Sequence, residues 1–581
     1  MSPLTWLYRR LTLGAFTVRT PGDAPLLFLL VMAGVGLYAA ADLSSSLPAF
    51  WRLLLGLALY YGLANGVRDR RTLGLLTLLL AGGGFLLALV TVLGVRWDAV
   101  RLLSLPQLYG RLPALLRDPS DNQSFNPRVM GMGLAVLFPA LLSLALFGRA
   151  RKLRLAGALS ALALAIIFPL TQAVQALLGI GVALAFLAIW RTRWSLLGLL
   201  PLVGLLGWAL ARYDLRPLAA RLLSTGDLAG IGVALRLDMW ARALAMIRDM
   251  PFTGIGLNNF QAIQWNFYPG FLLGQEPHAH NLFLQVALDL GLPGLMAFLW
   301  LIIAAMVMAA RAYRLTADRD GRALIVGLVA GLLAYLGAGL IDCPWASKPG
   351  LLLWVLLGML AALYGLSGAA TQERTSRRPA GLRYRRLAPA LAPVLLVLTA
   401  LVAGNSWDTN RGSIEGHKAL LAARTAGANA DPAALAEAAG HLARGLGSGA
   451  RSASGSASAY SLLGSLYAWQ GDDRAALEAF GQQVALDGQD PLAEYAPFEA
   501  LRRQIIGQAS PDRWAALLGV YGQWMARFPQ HAEPYVWAAL VHGTYQNDQK
   551  GAVATLRSGL QRGAQPTGLL QACLDDLASA R

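Results

Sequence analysis

"LGLLTLLLAGGGFLLALVTVLG", residues 73–94, carries no charged side chain from Leu73 to Gly94. Roughly 20 apolar residues in a row cross a bilayer as a helix. Three further blocks read the same way: "PLLFLLVMAGVGLYAAA" (25–41), "VMGMGLAVLFPALLSLALFG" (129–148) and "GLMAFLWLIIAAMVMAA" (294–310). More candidates lie near 50–65, 155–171, 175–190, 195–211, 323–341, 350–366 and 388–404. Only helices and closed barrels satisfy every backbone group inside lipid. The expectation is therefore an all-α polytopic membrane bundle of about eleven spans over residues 1–404. Composition agrees. The 581 residues are 56% hydrophobic and 14% charged, whereas soluble domains sit near a quarter charged. The first apolar block has no small-residue cleavage site, so no cleavable signal peptide is expected.

The net charge is +17, and its placement matters more than its size. Basic residues cluster in alternate loops: Arg9, Arg10 and Arg19; Arg68, Arg70 and Arg71; Arg149, Arg151, Lys152 and Arg154; Arg191 and Arg193; Arg311, Arg314, Arg319 and Arg322; then Arg374 to Arg386. The positive-inside rule makes these loops cytoplasmic. The N-terminus is then inside, and an odd number of spans puts everything after residue 404 outside. Topology explains most of the basic residues, so a nucleic-acid partner is not expected. Cys343 and Cys573 both fall on the outer side and read as unpaired thiols rather than a disulfide.

Three outer segments are long enough to matter: 95–128, 212–290 and 405–581. The last is a separate domain by composition, Ala-rich and more charged, with no long apolar block. In "LGSLYAWQGDDRAALEAFGQQVAL" (463–486), Leu463, Gly464, Tyr467, Gly471, Ala476 and Phe480 fall where a tetratricopeptide repeat wants them. A drifted copy lies at 535–560. Such arrays bind partners along a concave face, so a protein partner is expected here. A helical lid with no partner is the plainer alternative. "GLGSGARSASGSASA" (445–459) reads as a flexible loop.

In the outer loop, residues 235–250 have helical periodicity. Met239, Trp240, Ala243, Leu244, Ile247 and Met250 share one face, with Asp238, Arg242 and Asp249 opposite. Arg236 falls in the middle of the apolar face. A guanidinium there is costly unless an anion meets it. An ion pair with Asp214 or Asp227, or snorkelling to headgroups, would satisfy it. So would a bound phosphate, which Arg grips with a bidentate fork. Arg96, Arg101, Arg111, Arg117, Arg128, Arg212, Arg216 and Arg221 add positive charge on the side where few basic residues are expected. A lipid-linked phosphate would account for the group, and so would anionic headgroups.

"QEPHAHNLFLQ" (275–285) holds two of the six histidines, His278 and His280. On a helix their side chains would diverge by about 200°; in an extended segment they could face one way. A metal site needs three or four ligands. Glu276 offers a third, and no fourth stands nearby. A structural histidine is a second reading. General base catalysis is a third, since an imidazole accepts a proton at neutral pH. "NLFLQVALDLGLPGL" then enters a span, which puts His280 at the outer membrane–water boundary. Asn281 either orients the imidazole or caps the following helix.

These residues resemble a known family. His280-Asn281, nine residues, then Gly291-Leu-Pro-Gly294 is similar to the H-[NSQ]-x9-G-x2-[GTY] signature of O-antigen ligases. "PFTGIGLNNF" (251–260) resembles the P-x2-G-x-G element of the wider O-antigen ligase and polymerase superfamily. Arg236 with Trp240 resembles its R-x3-W. The resemblance covers roughly 120–370, most specifically 236–294.

It implies a metal-independent, GT-C-like inverting glycosyltransferase needing no cofactor. Such an enzyme moves a glycan from an undecaprenyl-pyrophosphate donor to an acceptor hydroxyl. It works at the outer face of the bacterial inner membrane, with the C-terminal domain in the periplasm. The family's histidine maps to His280 as base and its pyrophosphate-binding arginine to Arg236. Asn281, His278, Glu276 and Trp240 would support them. There is one departure: many members carry a Ser-Arg pair at the outer end of a mid-chain span, where this chain has Ala173 and Val174. Arg128 or Arg212 is the expected substitute.

The acceptor separates a ligase (lipid A core) from a polymerase (a growing glycan) and from a protein O-oligosaccharyltransferase. A lipid-linked glycan transporter would need ionisable relays, which are sparse in these spans. An envelope scaffold would leave Arg236 and His280 unexplained.

Overall fold

The computed structural model describes residues 17–95, 97, 126–192, 228–268, 276–346, 350–368, 407–426, 430–448, 457–470, 472–486, 513–565 and 567–579. Among them every regular element is helical, apart from a β-bridge between His531 and Gln565. The helices are α1 (Asp23–Ala39), α2 (Leu43–Gly66), α3 (Arg70–Gly94), α4 (Pro127–Phe147), α5 (Arg151–Ile167), α6 (Val174–Arg191), α7 (Leu228–Asp249), α8 (Phe260–Phe267), α9 (Leu282–Leu315), α10 (Arg319–Ala338) and α11 (Gly350–Leu366). After residue 406 come α12 (Trp407–Ala426), α13 (Pro432–Ser448), α14 (Ala457–Gln470), α15 (Asp473–Leu486), α16 (Arg513–Arg527), α17 (Glu533–Leu540), α18 (Gln549–Gln561) and α19 (Thr567–Ser579).

Among the described residues, six helical stretches are long and apolar enough to cross a membrane: Leu43–Gly66, Arg70–Gly94, Pro127–Phe147, Arg151–Thr171, Leu282–Leu315 and Arg319–Ala338. Three shorter apolar helices, Asp23–Ala39, Gln175–Arg191 and Gly350–Leu366, coincide with other expected spans. The expected spans at 195–211 and 388–404 lie outside the described residues.

The chain divides into two compact units. The first comprises Met1–Leu37, Ser44–Val203 and His278–Val397. Its centre is α10, packed between α4, α6 and α11. Gly179 of α6 lets α10 come close: a β-carbon there would sit 2.2 Å from the Ala334 carbonyl. Small residues play this part where lipid gives helices no hydrophobic push together. The Ser143 hydroxyl of α4 donates to the Ala323 carbonyl of α10 at 2.8 Å, so it is satisfied inside the apolar core. Leu79 and Leu86 on α3, and Leu162 and Ile166 on α5, are all more than half exposed. Apolar side chains grouped this way form a face suited to lipid.

The basic loops around Arg149, Arg191 and Arg322 gather at one end of this unit. Asp320 accepts from the Arg149 amide at 2.5 Å and the Ala150 amide at 3.0 Å. Arg322 stacks over Tyr313, which meets Trp190 edge-on beside Arg191. Helix α9 leads away from that end. Its start meets the far end of α10, where the Leu282 amide bonds to the Gly339 carbonyl, so His280 lies at the opposite end.

The second unit joins Tyr38–Leu43, Gly204–Pro277 and Leu398–Arg581. Asn259 clamps Asp42, accepting from its amide at 2.7 Å and donating to its carbonyl at 3.2 Å. Gly256 has φ +95°, and a β-carbon on it would lie 2.5 Å from the Ala40 Cα; glycine meets both demands. From α12, Asn410 bonds to Thr253 and the Phe252 amide, and Lys418 donates to the Tyr38 carbonyl. His417 is buried against Phe267, ring centroids 4.4 Å apart. Residues 463–486 form a helix–turn–helix, with Asp472 capping α15 through the Ala475 amide. Leu463 and Ala476 are buried there, while Gly471 and the Phe480 side chain lie outside the described part. Helices α17 and α18 pair over 535–560.

Helix α7 departs from expectation in one respect. Its buried face is Met239, Ala243, Met246, Ile247 and Met250, while Leu244 is 57% exposed. The face is turned by about half the 100° step between neighbours. Helices α12 and α14 cover that side, and they decide what is buried. Arg236 is half-buried and falls between Ala243 and Ile247 on that face. Asp249, expected in solvent, is buried and accepts from the Tyr268 hydroxyl at 2.7 Å. Burial, then the neighbouring Asp249 carboxylate, push the Tyr268 phenol well above its ordinary range.

Candidate active site

The start of α9 fixes the segment from His278 to Asn281. Asn281 is the N-cap of that helix: its side-chain oxygen accepts from the Phe283 amide at 2.9 Å and the Leu284 amide at 3.0 Å. Its side-chain nitrogen donates to the Leu340 carbonyl at 2.9 Å, and the Leu282 amide reaches the Gly339 carbonyl at 2.7 Å. Of the two expected roles for Asn281, capping is the one observed. These bonds fasten the start of α9 to the end of α10.

The glycines of the signature have structural reasons. Gly291 stands at φ +70°, ψ 176°, and breaks α9 into two helical pieces at a kink. That conformation is close to forbidden for any residue with a β-carbon. A β-carbon on Gly294 would come 2.2 Å from that of Leu290. The kink leaves Leu282–Leu290 as a short apolar piece with the histidines at its head.

His280 takes φ +46°, a left-handed conformation uncommon outside glycine. It brings the two imidazoles together, ring centroids 4.3 Å apart. The His278 Nδ1 accepts from the His280 amide at 3.3 Å. The His280 Nδ1 lies 3.1 Å from Oδ1 of Asp342, a residue that also accepts from the Cys343 amide at 2.8 Å. The imidazole is 21% exposed and the carboxylate 15%, so the pair is reachable and mostly desolvated. Burial alone would raise the Asp342 carboxyl. The His280 hydrogen bond, the charges of His280 and His278, and the Cys343 amide outweigh it and hold the carboxyl below its ordinary range.

A carboxylate can only accept. In the neutral imidazole Nδ1 therefore carries the proton, and Nε2 is left with a lone pair to accept another. His278, His280 and Asp342 each also offer one ligand atom within 4.8 Å of the others. The metal reading of the sequence had Glu276 as a third ligand and no fourth nearby; the fold brings Asp342 to the histidines from 62 residues away.

The other expected site residues are spread over several elements. Arg128 is exposed in the first turn of α4, with its amide capped by Asn126. One turn on, Gly131 packs against Thr171 and Ala173, the stretch that lacks the Ser-Arg pair. Arg236 and Trp240 are half-buried on α7, and Glu276 is half-buried two residues before His278. Arg212 lies outside the described residues. Cys343, next to Asp342, is buried, and neither it nor Cys573 forms a disulfide.

Sequence reasoning missed Asp342 because nothing in spacing links "GLIDCPW" (339–345) to residue 280. An acidic residue at the end of a span, in a chain so poor in charge, was the available signal. It also missed Gln285 and Asp289, which are buried on α9 and hydrogen-bonded to each other at 2.8 Å.

No curated protein matches the chain. Residues 159–299 match the family model described as O-antigen ligase, a stretch that holds His278, His280, Asn281 and Gln285. Several helices able to cross a membrane support a multi-pass membrane protein, and residues 159–299 of it are similar to O-antigen ligases.

Proposed function

We propose that the chain transfers a glycan from an undecaprenyl-pyrophosphate-linked donor to an acceptor hydroxyl, at the outer face of the bacterial inner membrane. The observation that carries this is the His280–Asp342 pair, at the opposite end of the first unit from the basic loops. His280 is the general base. Its Nε2 takes the acceptor proton while the acceptor oxygen attacks the anomeric carbon. The bond from that carbon to the pyrophosphate oxygen breaks, and the lipid pyrophosphate leaves with the electron pair. Attack from the face opposite the leaving group inverts the anomeric centre. Asp342 holds the productive tautomer and stabilises the imidazolium that forms, as an aspartate does for histidine in hydrolytic triads.

Arginines hold the leaving pyrophosphate, because guanidinium forks match phosphate oxygens. Arg236 is the first of these. Its half-buried place on the apolar face of α7 suits a side chain that meets a ligand more than one sealed in a core. Arg128 is the better candidate for the missing Ser-Arg pair, since Gly131 ties its helix to that stretch; Arg212 is the other. The helical pairs after residue 406 are read as tetratricopeptide-like. Such surfaces favour a protein or polymer partner over a bare lipid acceptor.

A second reading is favoured by one observation, the ligand atoms of His278, His280 and Asp342 within 4.8 Å of one another. They could hold a catalytic metal with three protein ligands. The hydrogen-bonded reading is preferred because Nδ1 of His280 is engaged with Asp342, and Nδ1 of His278 with the His280 amide.

The test is transfer in vitro from a lipid-linked glycan to a panel of acceptors. His280→Ala is expected to abolish transfer while donor binding persists. Transfer at the wild-type rate in that variant would sink the base assignment. Arg236→Ala is expected to weaken donor binding without loss of folding.

A further inference from the structure

We propose that Gln285 and Asp289 are positioning residues that set the geometry of His280 from inside α9; this rests on the reading of His280 as base. Both side chains are buried, Gln285 fully and Asp289 at 3% exposure. They sit one turn apart on the short apolar piece of α9 that precedes the kink at Gly291. An amide and a carboxylate in that setting cost stability relative to leucine, so packing alone does not account for them.

Their hydrogen bonds supply the reason. The Gln285 Nε2 donates to Asp289 Oδ1 at 2.8 Å, and its Oε1 accepts from the Ala279 amide at 2.9 Å. The orientation of the amide is fixed by chemistry: a carboxylate only accepts and a backbone N–H only donates. Asp289 thus aims Gln285, and Gln285 grips the peptide that joins His278 to His280. Ala279 itself is wholly buried, so the grip is shielded from water.

The left-handed backbone of His280 is the second observation. A non-glycine residue stays in that region only where its surroundings over-determine it. The Gln285 bond enters one residue before it, and the Gly339 bond to Leu282 two residues after it. Remove the first, and the imidazole can swing away from Asp342.

The experiment compares Gln285→Leu, Asp289→Leu and Asp289→Asn with wild type and His280→Ala in the full-length protein in detergent. Transfer from a lipid-linked glycan gives kcat and donor KM, and thermal unfolding checks folding. Gln285→Leu and Asp289→Leu are expected to lower kcat about 10- to 100-fold, the scale of a 1 Å misplacement, with donor KM unchanged. Asp289→Asn, which keeps an acceptor oxygen, is expected to retain most of kcat. If Gln285→Leu does not fold, Gln285→Asn keeps the amide but is too short to reach both partners, and the same fall in kcat is expected. Wild-type kcat in a folded Gln285 variant, or a fall in Asp289→Asn equal to that in Asp289→Leu, would overturn the inference. If His280→Ala itself transfers at the wild-type rate, the base reading fails instead.

Discussion

The His280 imidazole and the Asp342 carboxylate meet at 3.1 Å although 62 residues separate them. Helices α9 and α10 pack together and bring the start of one to the end of the other. Because Asp342 can only accept, it dictates which nitrogen of His280 is basic. Asp342→Asn removes that constraint and lets the wrong tautomer form. A fall in kcat of about 10³- to 10⁴-fold is expected, as for the aspartate of a hydrolytic triad, with donor KM little changed. A fall of less than about threefold would remove Asp342 from the catalytic pair.

The same pair predicts a pH dependence of stability. The Asp342 carboxyl is held below its ordinary range in the folded protein. A depressed carboxyl contributes stability above its unfolded value, and that contribution is lost as pH falls through the folded one. The melting-temperature gap between wild type and Asp342→Asn should therefore persist down to about pH 4 and shrink only below it. Shrinkage setting in near neutrality would contradict the assignment.

Gly291 is expected to tolerate no β-carbon. Gly291→Ala forces an L-residue to φ +70°, at a cost of about 1–2 kcal/mol. It should also straighten the helix beneath the histidines, so kcat should fall together with melting temperature. Wild-type values for both would show that the kink is not required.

Helix α12 marks where the C-terminal region can be cut. Ending the chain at residue 404 removes Asn410, His417 and Lys418 and uncovers Phe252 and Phe267. The segment 228–268 should then become sensitive to limited proteolysis. Ending it after Leu486 keeps α12 to α15 and should leave that segment protected. Equal sensitivity in the two truncations would mean that α12 does not stabilise it.

Chelation separates the two readings of the histidine pair. Transfer is expected to survive exhaustive treatment with a chelator. Loss of activity that zinc restores would make His278, His280 and Asp342 ligands.

Long-range geometry set the limit of what could be read in advance. Apolar runs such as 73–94 announce themselves because lipid admits so few backbone solutions, and nine expected spans fall on observed helices. Asn281 and Gly291 were likewise visible, since capping and kinks depend on neighbours in sequence. Asp342, Gln285 and Asp289 were not, because each matters through a partner that only the fold supplies. The face of α7 was misjudged for the same reason: periodicity locates an apolar stripe, but the helices packed on it choose its centre.

The bond from Lys418 to the Tyr38 carbonyl joins residues 380 apart, and this has a consequence for biogenesis. Tyr38 emerges early in synthesis and its partner, Lys418 of 581 residues, much later. The second unit therefore cannot close until α12 has been made. Closing so large a loop is slow, and unfinished intermediates expose apolar surface. A ribosome that stalls before α12 would release a chain whose membrane helices can insert but whose second unit lacks its closing contacts, a form suited to recognition by proteases. Pulse-labelled cells should show protection of the 228–268 segment appearing only once α12 has been made.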